Sequence, residues 1–207
     1  MLQRLAQYLH ATRTEGILML RGTKQGITID AFSDADYAND ETTRKPVTGS
    51  ITLLNGSPVQ WLSRQQPIVT KSTCEAEYIA AAETATLTIW LANMMKETSI
   101  PTRQPVLHVD NTAAVQMAKN TGATRRRKCI DVRYHFLHET VQTGKLKVSR
   151  ISTTEQKADI LTKPLKNTLF QKHKHSIQIN PPPAPPGSPR VRGSVVPSRT
   201  ANDAQTS

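Results

Sequence analysis

Apolar and polar residues alternate along Ile27-Thr28-Ile29-Asp30-Ala31-Phe32, the two-residue period of a half-buried strand. Gly49-Ser50-Ile51-Thr52-Leu53-Leu54 and Val59-Gln60-Trp61-Leu62 predict two more strands. Asn55-Gly56 between them predicts a tight hairpin, because both central positions of such a turn need positive φ. The period then changes to that of a helix. Ser72-Thr73-Cys74-Glu75 has the form of a capping box. Beyond it, Ala76, Ile79, Ala80, Leu87, Trp90, Leu91 and Met94 fall near one stripe, until Ser99-Ile100-Pro101 ends the helix after about Thr98. The run Ala80-Ala81-Ala82 allows a neighbour to approach closely.

Val106-Leu107-His108-Val109 predicts a fourth strand, and Asn111 or Thr112 caps a short helix to about Lys119. A further helix from Ile130 to Thr143 puts Ile130, Tyr134, Leu137 and Val141 on one face, with Gly144 as its stop. Leu146-Lys147-Val148-Ser149-Arg150-Ile151 predicts the fifth strand. Ser152-Thr153-Thr154-Glu155 reads as a second capping box, opening a last helix that carries Ala158, Asp159 and Leu161 and stops near Pro164. A two-residue hairpin is antiparallel, whereas strand–helix–strand units make parallel crossovers. The order therefore predicts an α/β fold with a mixed five-stranded sheet flanked by helices. Trp61 and Trp90 fall on positions expected to face its core.

Three regions follow from the pattern. Residues 1–24 read as one short helix, with Leu2, Leu5, Ala6 and Leu9 on one face, and a strand-like Ile17-Leu18-Met19-Leu20. They look like the trailing end of something larger. Residues 25–167 form the main domain. Residues 168–207 read as a tail, first basic at Lys172-His173-Lys174-His175 and then proline-rich. Seven of the thirteen prolines lie from Pro181 onward, a composition that cannot bury enough apolar surface to offset ordering entropy.

The formal charge of +11 and pI near 10.0 favour a polyanionic partner such as nucleic acid. Cys74 and Cys129 are the only cysteines, which argues against a disulfide framework or zinc knuckle and for a reducing compartment. No apolar run approaches the roughly 20 residues of a membrane span, so no membrane partner is expected.

Four carboxylates stand in four contexts suited to one shared site: Asp34 and Asp110 after strand-like segments, Glu77 and Asp159 inside helix-like ones. Acids at strand ends and on the adjacent helices can converge, hard divalent cations prefer such oxygen ligands, and paired ions can clamp both the attacking and the leaving oxygen of a phosphodiester. That combination points to a nuclease. Asp36, two residues from Asp34, reads equally as an auxiliary ligand or a solvated turn acid. The densest basic run, Arg125-Arg126-Arg127-Lys128, is a candidate phosphate contact. Thr70, Ser72 and Thr73 near the first long helix are candidate sugar or phosphate contacts. His135 and His138 have a spacing that zinc ligands use, without a third ligand placed to complete a site.

Five segments, taken in order, go further: Ser33-Asp34-Ala35-Asp36-Tyr37-Ala38, Ser72-Thr73-Cys74-Glu75-Ala76-Glu77-Tyr78-Ile79-Ala80, Val109-Asp110-Asn111, Asp131-Val132-Arg133-Tyr134-His135-Phe136 and Ala158-Asp159-Ile160-Leu161-Thr162-Lys163-Pro164-Leu165. They resemble the ribonuclease H region at the C-terminal end of copia-type retrotransposon polyproteins, over residues 1–167. The resemblance implies a ribonuclease H-like fold and cleavage of the RNA strand of RNA–DNA hybrids with two Mg2+ ions, Mn2+ being a substitute. It implies Asp34, Glu77, Asp110 and Asp159 as the metal ligands. Its implied partners are the hybrid and the reverse transcriptase domain of the parent polyprotein, with residues 1–24 as the connector. It also implies a cytoplasmic setting, in the particle of the element, or a nuclear one. Two departures stand out: Ser149–Gln156 lacks the histidine that related cellular enzymes carry before the last aspartate, and Cys129 stands where family members often have histidine. The rival reading is a non-catalytic relic acting at most as a basic nucleic-acid-binding module.

Overall fold

The computed structural model describes residues 2–20, 26–37, 45–70, 72–119, 131–177 and 179–180. The basic run at Arg125–Lys128, Cys129 and the proline-rich residues 181–207 lie outside them. In chain order the elements are α1 (Leu2–Ala11), β1 (Gly16–Ile17), β2 (Ile29–Asp36), β3 (Val47–Leu54), β4 (Ser57–Gln65), α2 (Thr73–Glu97), β5 (Val106–Val109), α3 (Thr112–Lys119), α4 (Asp131–Gln142), β6 (Lys147–Arg150), two 3-10 turns (Thr153–Glu155 and Lys157–Leu161), α5 (Asn167–Ser176) and β7 (Ile179–Asn180).

The main sheet has the order β4-β3-β2-β5-β6. β2, β3 and β4 are antiparallel neighbours, while β5 and β6 run parallel to β2. The turn between β3 and β4 puts Asn55 at φ 50° and Gly56 at φ 85°, as the Asn-Gly pair predicts. Successive residues of β2 point to opposite faces and feed two cores. Ala31 packs with Tyr78, Ala81, Ala85, Leu107, Val109 and Leu137 beneath the helices. Phe32 packs on the other face with Ile51, Leu53, Ala158 and Ile177.

Three expectations change. Trp61 and Trp90 are 57% and 59% exposed, not core-facing. α2 buries Ala76, Tyr78, Ala80, Ala81, Thr84, Ala85, Thr88, Leu91 and Met95, so its contact side follows the small residues that let it lie close to the sheet. The supposed capping box at residues 152–155 opens no α-helix: Ser152 makes no side-chain cap bond, and the segment turns as 3-10. Gln156 caps the next turn instead, its side chain accepting from Ala158 N. The tail expected from residue 168 begins with α5, where His173 is 1% exposed and Lys174 and Ile177 are buried. Residues 173 and 177 keep a four-residue helical spacing, which the basic composition of the segment conceals. The described residues 2–20 are tied to the rest. β1 pairs antiparallel with β7, Ser57 Oγ donates to Leu18 O (2.7 Å) and Lys174 Nζ bonds Glu15 (2.6 Å). α1 itself buries no residue.

Candidate metal centre

β2 and β5 are parallel and in register at Ser33 and Val109. The next residue on each strand path is an aspartate, so Asp34, within β2, and Asp110, just past the end of β5, lie side by side. The capping bond from Glu75 N to Ser72 Oγ (3.2 Å) fixes the start of α2, and Glu77 follows within the next turn. Its carboxylate lies against β2, where the Ala35 backbone N–H donates to it. One oxygen each from Asp34, Glu77 and Asp110 lie within 4.8 Å of one another, a grouping fit to hold a metal ion.

Asp159 arrives from the opposite face. Gly49, opposite Asp34 in the β2–β3 register, carries the second 3-10 turn directly on its backbone. A Cβ there would stand 2.5 Å from Thr162 Cγ2 and 2.8 Å from Ala158 O. Ser63 Oγ donates to Leu161 O (2.7 Å) and Gln156 Nε2 to Ser33 O (2.8 Å), pinning the turn on both sides. Asp159 faces Lys163 Nζ at 3.1 Å, and that ammonium also lies 3.5 Å from Asp34 Oδ2. Thr162 Oγ1 donates to the same Asp34 oxygen.

Burial and crowding set the charges. Burial first, then Asp34 and Asp110, push Glu77 up to about 9. Burial and Asp34 raise Asp110, against a lowering hydrogen bond from Thr153. Burial and Asp34 raise Asp159 to about 6, with Lys163 pulling it down. Lys163 is held above the usual lysine range: burial lowers it, and Asp34 and Asp159 more than offset this. Glu77 Oε2 is buried without a hydrogen-bond partner. Converging oxygens, unfavourable as anions and one of them unsatisfied, form a donor set that suits a hard divalent cation.

The structure thus gathers Asp34, Glu77 and Asp110, and sets Asp159 beside them through Lys163. Asp36 is half-buried on β2 outside the trio. Ser72 and Thr73 are exposed at the start of α2, whereas Thr70 is buried. Among the described residues no metal-binding group includes His135 or His138. Sequence reasoning passed over Gly49, Thr153, Thr162 and Lys163. For Lys163 a signal existed: it follows Asp159 by four residues in a segment that ends at a proline.

A mixed five-stranded sheet, with acids on adjacent parallel strands and on elements packed against both faces, gives this α/β domain the architecture expected of a ribonuclease H-like fold. No family model matches the chain. Relatives place it more narrowly. It is 37% identical over 179 residues to the retrovirus-related Pol polyprotein from transposon RE1 of Arabidopsis thaliana, covering 86% of this chain and 12% of that protein. It is 35% identical over 192 residues to the polyprotein from transposon RE2 of the same plant, covering 92% and 13%. It is 39% identical over 152 residues to that from transposon TNT 1-94 of Nicotiana tabacum, covering 73% and 11%. The chain belongs to these retrovirus-related Pol polyproteins of copia-type transposons, and spans 11–13% of the length of these three relatives. Among solved structures, LC11-RNase H1 isolated from compost superposes with a TM-score of 0.47 at 15% identity, covering 70% of this chain and 96% of that one.

Proposed function

We propose that this chain is the ribonuclease H part of a transposon polyprotein and hydrolyses the RNA strand of RNA–DNA hybrids with divalent metal. The observation that carries the reading is the trio Asp34, Glu77 and Asp110 within 4.8 Å, in surroundings that raise the proton affinity of Glu77 and Asp110. Asp34, Glu77, Asp110 and Asp159 would hold Mg2+, or Mn2+ in its place, and two such ions supply Lewis acidity to the attacking and leaving oxygens of a phosphodiester. The chain's own residues do the rest. Ser72 and Thr73, exposed one turn before Glu77, would meet sugar or phosphate. Arg125, Arg126, Arg127 and Lys128 supply positive charge for the phosphate backbone. The partners in this reading are the hybrid and the reverse transcriptase portion of the parent polyprotein.

The test is cleavage of a labelled hybrid by the purified chain, with Mg2+ and then with excess chelator, beside Asp110→Asn. Magnesium-dependent cutting of the RNA strand is expected, lost in Asp110→Asn while hybrid binding remains. Cutting that survives in the variant would place the chemistry elsewhere. Binding without cutting by the unmodified chain would support a basic nucleic-acid-binding module instead.

A further inference from the structure

Three of the four acids converge on one another, and the fourth converges on a lysine. Asp159 lies against Lys163 at 3.1 Å, and the same ammonium sits 3.5 Å from Asp34 Oδ2. The lysine therefore bridges the two carboxylates on the Asp159 side of the centre. It follows Asp159 by four residues, so the turn that delivers the acid also delivers its counter-charge. The turn cannot easily retreat, because Gly49, Ser63 and Gln156 fix it to the sheet. The Lys163 side chain is 35% exposed, against 4% for Asp34 and 3% for Asp159, so only the lysine has an open route outward.

We propose that Lys163 is a built-in cation that occupies the Asp34–Asp159 half of the centre and yields it to a divalent ion. The inference rests on the metal-dependent reading above. It divides the centre into two unequal halves. The Asp34–Glu77–Asp110 half takes its ion without displacing a charge. The Asp34–Asp159 half takes one only as the ammonium swings toward solvent, so its affinity carries the cost of breaking two ion pairs. Lys163 is thus a positioning residue: it holds Asp159 toward Asp34 before metal arrives, and grades the order in which ions bind.

Mn2+ titration of the full chain by calorimetry, with unbound Mn2+ counted by electron paramagnetic resonance, tests this directly. The unmodified chain should show one tight ion and a second at least about tenfold weaker. Lys163→Met should strengthen the second ion, narrowing that ratio, and should lower the melting temperature in chelator. Lys163→Arg, which keeps the charge, should stay close to the unmodified chain. Damage to the turn would weaken ion binding, so a gain in affinity separates competition from a merely structural role. Should Lys163→Met not fold, Lys163→Gln gives the same comparison. A second ion that is unchanged or weaker in the neutral variant overturns the proposal while leaving the metal reading intact. Failure of the unmodified chain to bind any Mn2+ overturns both.

Discussion

Glu77 keeps its proton where an ordinary glutamate has lost it. Burial, aided by Asp34 and Asp110, raises it from 4.5 to about 9. Between those values the folded chain binds a proton that the unfolded chain releases, so this stabilising contribution is complete below about pH 4.5 and is lost as the pH climbs to about 9. Asp110 and Asp159, also raised, act in the same direction. Ion-free protein should therefore melt at falling temperatures as the pH rises from 5 to 9. Glu77→Gln should flatten that slope, and Mg2+ should restore the melting temperature of the unmodified chain at high pH. Thermal melts in chelator check this, and an equal slope in the glutamine variant would mean Glu77 does not titrate as described. At this scale the sequence is informative about acids, since each stands in a distinctive local context. It is poor at their partners. Thr162 and Thr153 matter through contacts made across the fold, from Thr162 to Asp34 and from Thr153 to Asp110, and nothing local marks them; Lys163 alone carries a local sign, its spacing of four residues from Asp159.

The elements show where pattern reading works and where it stops. The hairpin and the start of α2 follow local rules, an Asn-Gly turn and a serine cap, and both form as read. β2 runs on to Asp36, although apolar alternation ends at Phe32. Its outer half is held by pairing with β3 rather than by side-chain hydrophobicity, so Asp34 lies within the strand. The 3-10 turn bearing Asp159 is the harder case, because its position depends on a missing side chain. Gly49→Ala would push a methyl group into Thr162 Cγ2 and Ala158 O, part of the turn itself. We expect a loss of about 1–3 kcal/mol from overpacking, with Asp159 displaced from Asp34. Urea denaturation measures the first effect and Mn2+ titration the second; a variant as stable as the parent, with unchanged ion binding, would show that the turn has room to shift.

Across the whole molecule, charge and closure dominate. With a formal charge of +11, hybrid affinity should fall steeply with salt, and replacing Arg125, Arg126, Arg127 and Lys128 by alanine should make the fall shallower. Binding measured from low to moderate ionic strength decides it, an unaltered slope removing the basic run from the interface. Closure depends on the Glu15–Lys174 pair, whose side chains are 20% and 10% exposed. Glu15→Gln leaves a largely buried ammonium without its counter-charge and should cost about 1–3 kcal/mol in denaturant melts. Adding Lys174→Met should recover much of that loss. No sequence pattern announces this pair, 159 residues apart along the chain. Nor does it announce that two-residue strands would meet there.

That meeting has a mechanical consequence. Gly16 pairs with Asn180 and Ile17 with Ile179, so the chain comes in and goes out at one corner. Traction applied from both sides would load those two rungs in series, peeling them apart one at a time like a zipper. The ribbon is a weak link in the protective sense: its two rungs, with the Glu15–Lys174 pair beside them, stand between such a pull and the strands carrying Asp34 and Asp110.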